Sequence, residues 1–334
     1  MFVVLKRLRE EGLALLFISH RMHEIAELAD DCTVFRNGSN VATYPAGAKS
    51  DSEVVEMMIG RELSHVFPAK PPPREEAGPA LLEVKSLGWT DRLRDISFHA
   101  RAGEIVGLGG LDGQGQRELL LALFGVLRGV SGEIRVAGRV VSPSSPHAAE
   151  SRGVGMALIP EDRKTEGLML PMSVSENLSF AALERMTRGG VIDRGREARL
   201  VAKMIELLAI RASSPDVPAG ALSGGNQQKV VIAKWLMAEP RIILLNDPTR
   251  GIDVATKQEI YQLLRRLADS GAAIVFYTTD YAELIGCCDR ALVLYDGAIR
   301  RELVGDEITE RALIMSALNI GDGPNGPALE GRRP

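Results

Sequence analysis

Three short segments carry residues whose types and spacing suit phosphate chemistry. Gly109–Gly125 reads GGLDGQGQRELLLALFG and follows the aliphatic run Glu104–Leu108 directly. A strand, a glycine-rich turn and a helix form the context of a phosphate-cradling loop. Glycines let the backbone approach an anion closely, and the first N–H groups of the helix face it. Gly110, Gly113 and Gly115 keep the GxxGxGK spacing, but Gln116 stands where lysine belongs and Arg117 where a magnesium-binding hydroxyl belongs. Glycine spacing alone leaves a tight strand-to-helix turn equally open.

The second segment, LSGGNQQK, spans Leu222–Lys229 and puts Ser223, Gly224 and Gly225 just ahead of a helix beginning near Asn226. It reads either as another anion-binding helix terminus or as a capped Ser/Gly loop. The third, Arg241–Ile252, reads RIILLNDPTRGI: an apolar strand followed by Asn246, Asp247, Pro248 and Thr249. Polar residues at the C-terminal end of a strand stand where open α/β sheets bind ligands. The usual hhhhDE pattern offers one carboxylate to magnesium and a second to the attacking water. Here the first is the neutral amide Asn246 and the second the shorter acid Asp247, so a simple capped turn also remains open.

The elements that must hold these segments alternate along the chain. Leu81–Val84, Ile96–His99 and Ile134–Val141 read as strands of an antiparallel flank. Glu104–Leu108, Gly155–Ile159, Arg241–Leu245, Ala272–Tyr277 and Ala291–Tyr295 are short aliphatic runs suited to a buried parallel sheet. Helical patterns at Arg117–Phe124, Ala198–Leu208, Asn226–Met237 and Thr256–Ala268 would cover its faces, giving an α/β domain. Among 334 residues, 45% are hydrophobic and only 4% aromatic, so aliphatic side chains must fill the core. A net charge of −4 argues against a general nucleic-acid binder. Cys32, Cys287 and Cys288 form neither a disulfide framework nor a zinc spacing, which suits a reduced, cytoplasmic compartment. Charges break the N-terminal apolar stretch, so a signal peptide or membrane span is not expected there.

That stretch reads as a short amphipathic helix, a turn at Gly12 and an apolar strand over Leu13–Ile18. It is also one copy of an internal repeat. Gly38 pairs with Gly297 at an offset of 259 residues, and the same offset pairs Leu5 with Leu264, Arg7 with Arg266, Gly12 with Gly271, Phe17 with Phe276, Glu24 with Glu283, Asp30 with Asp289 and Val34 with Val293. The second copy starts near Leu81, and residues 81–260 have no counterpart in the first. A proline-rich joint lies between the copies, with Pro68, Pro71, Pro72, Pro73 and Pro79, and the Gly/Pro-rich end from Gly321 reads as disordered.

Taken in order, these motifs resemble the ATP-binding cassette (ABC) family. LSGGNQQK, EDRK (Glu161–Lys164) and PTRGID (Pro248–Asp253) are similar to the sugar-import ATPases of the ribose, galactose, xylose and simple-sugar type, which carry two cassettes on one chain. The resemblance covers about residues 1–318. It implies a P-loop NTPase cassette: a mixed α/β sheet with an antiparallel flank and a helical signature subdomain, preceded by the C-terminal remnant of another cassette. The expected division is residues 1–63 for that remnant, 64–80 for a linker, 81–318 for a complete cassette and 319–334 for a disordered tail.

The resemblance implies ATP and Mg²⁺ as ligands. It assigns phosphate and nucleotide contacts to Gly110, Gly113, Gln114, Gly115, Gln116, Arg117 and Glu118. Ser223, Gly224, Gly225 and Asn226 become the signature that presses on ATP held by the opposite cassette. Glu161 takes the place of the coupling-loop glutamine, and Asp253 lies in the loop at the cassette interface. Asn246 becomes a weak metal ligand and Asp247 the residue at the hydrolytic position. FISHRMHE places the first cassette's switch histidine at His20, whose counterpart in the second copy is Thr279. Without the family, His20 at a strand end reads as a structural histidine. Trp89 is placed to stack on adenine or simply to fill core.

The implied function is the ATP-binding subunit of a carbohydrate importer, peripheral on the cytoplasmic face of the plasma membrane. Its partners would be a transmembrane sugar permease, a second cassette or second copy, and indirectly an extracytoplasmic sugar-binding protein. Gln116, Arg117, Asn246, Asp247 and Thr279 depart from the active pattern, so the chain's own site is expected to bind nucleotide weakly and hydrolyse it poorly. The composite site using His20 would need a loop that the first copy does not supply. A catalytically dead, nucleotide-responsive regulatory or structural cassette, or an N-terminally truncated gene product, is the alternative reading. A DNA- or ribosome-acting ATPase is disfavoured by the acidic balance and by EDRK.

Overall fold

A computed structural model describes residues 2–18, 22–36, 38–50, 53–54, 57, 67–71, 79–151 and 153–320. Two compact units divide the chain: Met1–Val66 with Asp253–Glu259, and Phe67–Ile252 with Ile260–Pro334.

The first unit holds α1 (Phe2–Glu10), α2 (Met22–Leu28) and a hairpin of β1 (Asp31–Arg36) and β2 (Ser39–Pro45). Ion pairs Lys6–Glu27 and Arg9–Asp30 accompany the pairing of α1 with α2. Gly12 turns the chain with φ +89°. Leu13–Ile18 forms no strand, contrary to the expectation from its apolar run. Leu16 and Ile18 are 94% and 90% exposed. An inner parallel strand exists only through its neighbours, and among the described residues this run has none.

The second unit opens with β3 (Ala80–Trp89), β4 (Leu93–Arg101), β5 (Ile105–Gly109) and α3 (Gln116–Leu123). Next come β6 (Ser131–Val136), β7 (Arg139–Val141), α4 (Pro146–Glu150) and β8 (Met156–Ile159). A helical stretch carries α5 (Val174–Ser179), α6 (Leu183–Met186), the small hairpin β9 (Thr187–Arg188) and β10 (Val191–Ile192), α7 (Arg194–Leu207) and α8 (Gly224–Leu236). The chain closes with β11 (Ile242–Asn246), α9 (Val254–Asp269), β12 (Ala273–Tyr277), α10 (Tyr281–Cys287), β13 (Arg290–Tyr295), β14 (Ala298–Val304) and α11 (Glu310–Ala317).

Two sheets result. The larger runs β14-β13-β5-β12-β11-β8, parallel except for the antiparallel edge strand β14. The smaller runs β4-β3-β6-β7 and is antiparallel throughout. Strands β5, β8, β11 and β12 are buried at every position, as parallel strands covered on both faces must be. Leu82, Ile96, Leu108, Leu120, Ile134 and Val275 join one aliphatic core between the sheets. Ile134–Val141 is a hairpin rather than the single strand expected. Ala137 and Gly138 both take positive φ and reverse the chain, and the mainly apolar run hides that turn.

The 259-residue offset holds at the level of elements. It maps α2 onto α10, β1 onto β13 and β2 onto β14, with the same bounds at both ends. Each hairpin also breaks register at the same place, between Val34 and Phe35 and between Val293 and Leu294.

Candidate functional site

In register, Leu108 of β5 faces Tyr277 of β12, which faces Asn246 of β11. The three strand ends therefore lie side by side, and their following loops share one edge of the sheet. Gly110, Gly113 and Gly115 all adopt positive φ (+126°, +80° and +106°). A Cβ on Gly110 would lie 2.5 Å from the Leu294 carbonyl oxygen, and one on Gly115 would lie 2.9 Å from that of Arg92. At Gly113 the space is open. The glycines are thus required by the loop's own curvature and by the hairpin turn behind it. That turn buttresses the loop: Asp296 N donates to Gln114 Oε1 at 2.7 Å and Gly297 N to the Gln114 carbonyl. On the other side, Tyr277 OH donates to Asp112 at 3.0 Å.

Gln116, only 1% exposed, turns back into the loop. Its Nε2 donates to the carbonyls of Gly109 and Leu111 at 3.2 and 3.0 Å, and its Oε1 accepts from Gln114 N at 3.1 Å. The amide therefore satisfies the loop internally without supplying charge. Arg117 points outward to Glu166 at 2.8 Å, and Glu118 sits half-buried in the first turn of α3.

At the end of β11, Asn246 is 2% exposed and its Oδ1 has no hydrogen-bond partner. Asp247 is buried with φ +44°, a strained conformation for an aspartate. Thr279 Oγ1 donates to Asp247 Oδ2, while Thr278 Oγ1 lies 3.4 Å from Oδ1. Burial pushes the Asp247 carboxyl above its ordinary value. The Thr279 hydrogen bond opposes that shift, and repulsion from Glu283 and Glu161 adds to it.

Behind this pair sits a residue that sequence reasoning missed. Glu283, 1% exposed, accepts from the hydroxyls of Thr249, Tyr261 and Thr278 at 2.7–2.8 Å. One carboxylate thereby ties PTRGID to the end of β12 and the middle of α9. Phe67 stacks on Tyr261 with ring centroids 5.1 Å apart, and a Cβ on Gly286 would collide with its ring.

Ser223 caps α8, its hydroxyl accepting from Asn226 N and from Asn226 Nδ2 at 2.9 Å. Asn226 Oδ1 in turn accepts from Arg211 N at 2.8 Å. Arg163 of EDRK lies over the signature, its Nη2 only 2.9 Å from where a Gly224 Cβ would stand. The same guanidinium reaches the Arg250 carbonyl at 3.4 Å, and the Arg250 guanidinium pairs with Glu161. EDRK, the signature and PTRGID therefore meet through Arg163 and Arg250. Neither arginine stood among the expected site residues, since a surface-coded arginine gives no sequence sign of what it crosses.

Trp89 is half-buried against the core and its indole N–H donates to the Arg128 carbonyl at 2.9 Å. Asp253 belongs to the first unit, where its carboxylate accepts from the backbone N–H and hydroxyl of Thr256 and so opens α9. His20 lies outside the described residues.

A family model described as ABC transporter matches residues 93–250. The chain is 73% identical over 319 residues to a ribose import ATP-binding protein of Mesorhizobium japonicum, covering 96% of this chain and 62% of that protein. Residues 93–250 form a cassette of the ATP-binding cassette family. A ribose import ATP-binding protein of Rubrobacter xylanophilus is 44% identical over 315 residues, covering 94% of this chain and 62% of that protein. The chain thus spans about 62% of the length of these curated relatives. Among solved structures, a nucleotide-free ATP-binding cassette aligns with TM-score 0.60 at 19% identity, covering 73% of this chain and 100% of that one. A dimeric cassette in a post-hydrolysis state with ADP and Pi aligns with TM-score 0.58 at 21% identity, covering 67% of this chain and 98% of that one. Both likenesses concern the cassette fold. Among the described residues, no helix is long and apolar enough to cross a membrane.

The cassette's loop fits phosphate oxygens: Gly110, Gly113 and Gly115 curve it with positive φ into α3, whose first N–H groups face outward from the helix end. The fit to Mg²⁺ fails. Magnesium is held by carboxylates and hard oxygens, yet Asn246 offers one neutral oxygen and Arg117 a cation. Asp247 is engaged by Thr279, and no cluster of three or more His, Cys, Asp or Glu among the described residues suits a metal.

Proposed function

We propose that this cassette is the nucleotide-binding subunit of a simple-sugar importer, docked on a membrane permease at the cytoplasmic face and served indirectly by an extracytoplasmic sugar-binding protein. One observation carries the reading: EDRK, LSGGNQQK and PTRGID, the segments that most resemble sugar-import ATPases, meet through Arg163 and Arg250. The relatives named as ribose import ATP-binding proteins support it. Residues 1–63 are read as the closing part of one cassette, 81–318 as a full cassette, and 64–80 and 319–334 as linker and tail. The signature at Ser223–Gly225 and the switch residue His20 would serve a site completed by another cassette or a second copy.

In the chain's own site, backbone N–H groups at the start of α3 would hold the phosphates. Turnover there would be slow. Gln116 carries no charge, Thr279 has no ring nitrogen to offer a phosphate, and Asp247 is one methylene shorter than the glutamate usual at the hydrolytic position. These features favour the second reading, a nucleotide-responsive cassette without turnover, for the chain alone.

The test measures ATPase turnover of the purified chain alone, then with a co-expressed permease and an intact partner cassette. Low turnover alone, raised by at least about tenfold in the assembly, is expected. Robust magnesium-dependent turnover alone, abolished by Asp247→Ala, would overturn the assignment of a weak site. Binding without any gain in the assembly would favour the regulatory reading.

A further inference from the structure

We propose that this cassette's loop takes a nucleoside di- or triphosphate without a divalent metal, with the Arg117 guanidinium supplying the positive charge magnesium would bring. The inference rests on the nucleotide-binding reading above and concerns how the charge of the phosphates is met.

Three observations point there. Arg117 follows Gly115 and Gln116 at the start of α3, at the place of the hydroxyl that would ligate magnesium. It is 48% exposed, and the partner it is seen with, Glu166, is itself 41% exposed at 2.8 Å. An exposed pair of that kind contributes little, so a polyphosphate that accepts from a planar guanidinium fork can displace it. The second observation is Asn246, whose buried Oδ1 lacks a partner. Asn246 sits in register with Tyr277, and the Tyr277 hydroxyl bonds Asp112 of the same loop. Asn246 therefore stands at the sheet edge that bears the loop, and its buried oxygen lacks a donor that a bound water could supply.

The third is charge. A divalent ion with one ligating carboxylate carries one net positive charge, and Arg117 beside neutral Asn246 carries the same. A carboxylate at 246 without a metal would repel the phosphates. Replacing it by an amide while placing an arginine at 117 removes the need for the ion on both sides. Arg163 and Arg250 do not compete for this role, because the first crosses Gly224 and the Arg250 carbonyl, and the second pairs with Glu161. Gln116 is closed within the loop.

The experiment titrates the full chain with ADP and with ATP by calorimetry, in excess magnesium and in excess EDTA. Wild-type affinities that agree within about threefold between the two conditions are expected, together with a loss of about tenfold in both for Arg117→Ala. Arg117→Lys should recover part of that loss, since it keeps the charge but not the fork. Glu166→Gln, which frees Arg117, should bind more tightly by a few-fold. Arg117 is exposed, and circular dichroism on each variant separates misfolding from lost binding. Binding that collapses in EDTA, or that ignores Arg117→Ala, overturns the inference and leaves nucleotide binding standing. No binding under either condition overturns the nucleotide reading itself, and this inference with it.

Discussion

Thr279 Oγ1 donates to Asp247 Oδ2 at 2.8 Å, joining the loop after β12 to the end of β11. The bond holds a carboxylate that burial disfavours, on a residue whose backbone is left-handed. Much of what distinguishes this cassette follows from that pair. A threonine hydroxyl engages the acid, where a histidine would have left its own ring nitrogen for a phosphate.

Asp247→Asn is expected to stabilise the fold. The folded carboxyl titrates above its ordinary value of 3.8, so between 3.8 and the raised value the folded chain binds more protons than the unfolded one. Stability therefore falls as pH rises through that window and stays reduced above it. Asparagine carries no charge, still accepts from Thr279, and visits left-handed backbone more readily. Each kcal/mol relieved raises Tm by about 2–4 °C for a unit of this size. Thermal melts across the acid range should show a higher Tm at neutral pH and a flatter profile, and a lowered Tm would contradict the account.

Glu283→Ala should cost about 3–5 kcal/mol, because it strands the buried hydroxyls of Thr249 and Tyr261 without their acceptor and leaves Thr278 only its 3.4 Å contact with Asp247. Glu283→Gln keeps one accepting oxygen and should cost less than half as much. Urea denaturation of both variants distinguishes a shared hub from a dispensable contact, since equal and small losses would mean the hydroxyls find other partners.

Two glycine substitutions should differ sharply. Gly110→Ala puts a Cβ 2.5 Å from the Leu294 backbone oxygen at φ +126° and should cost about 2 kcal/mol or more. Gly224→Ala meets only the end of the Arg163 side chain, which can swing aside, and should cost under about 1 kcal/mol. Chemical denaturation midpoints give the comparison directly. The reverse order would mean that the loop yields and the arginine does not.

Lys234 makes stability depend on alkaline pH. Burial brings its ammonium down from 10.5 to about 8, only partly offset by Glu150, and the group donates to the Gly167 carbonyl at 2.6 Å. Between those values the unfolded chain keeps a proton that the folded chain has released. Stability from this group therefore rises with pH across that window. Lys234→Met should flatten the rise, and urea midpoints followed from neutral to alkaline pH will show whether the slope disappears with the ammonium.

The buried strands of the parallel sheet were legible because a strand covered on both faces must be aliphatic throughout, as β8, β11 and β12 are. The curve of the loop was legible because glycine spacing reports backbone curvature, as the positive φ of Gly110, Gly113 and Gly115 shows. Leu13–Ile18 misled for the same reason: its composition is that of an inner strand, but pairing is decided by neighbours that composition does not encode. Ile134–Val141 hid a reversal at Ala137–Gly138 because β-branched residues flank it on both sides. Glu283 and Arg163 were out of reach, since each works through groups far away in sequence, and one acid or one arginine looks like any other until the chain is folded.

Gln116 gives the loop an occupant of its own. Its amide takes one loop N–H group and two loop carbonyls and is tethered at fixed distance, so its effective concentration does not change when the protein is diluted. Any phosphate that needs the Gln114 N–H must compete with that tethered amide, and its apparent affinity falls by the fraction of time the amide stays in place. The cassette therefore measures its ligand against an internal standard, and the setting of that standard is a single side chain.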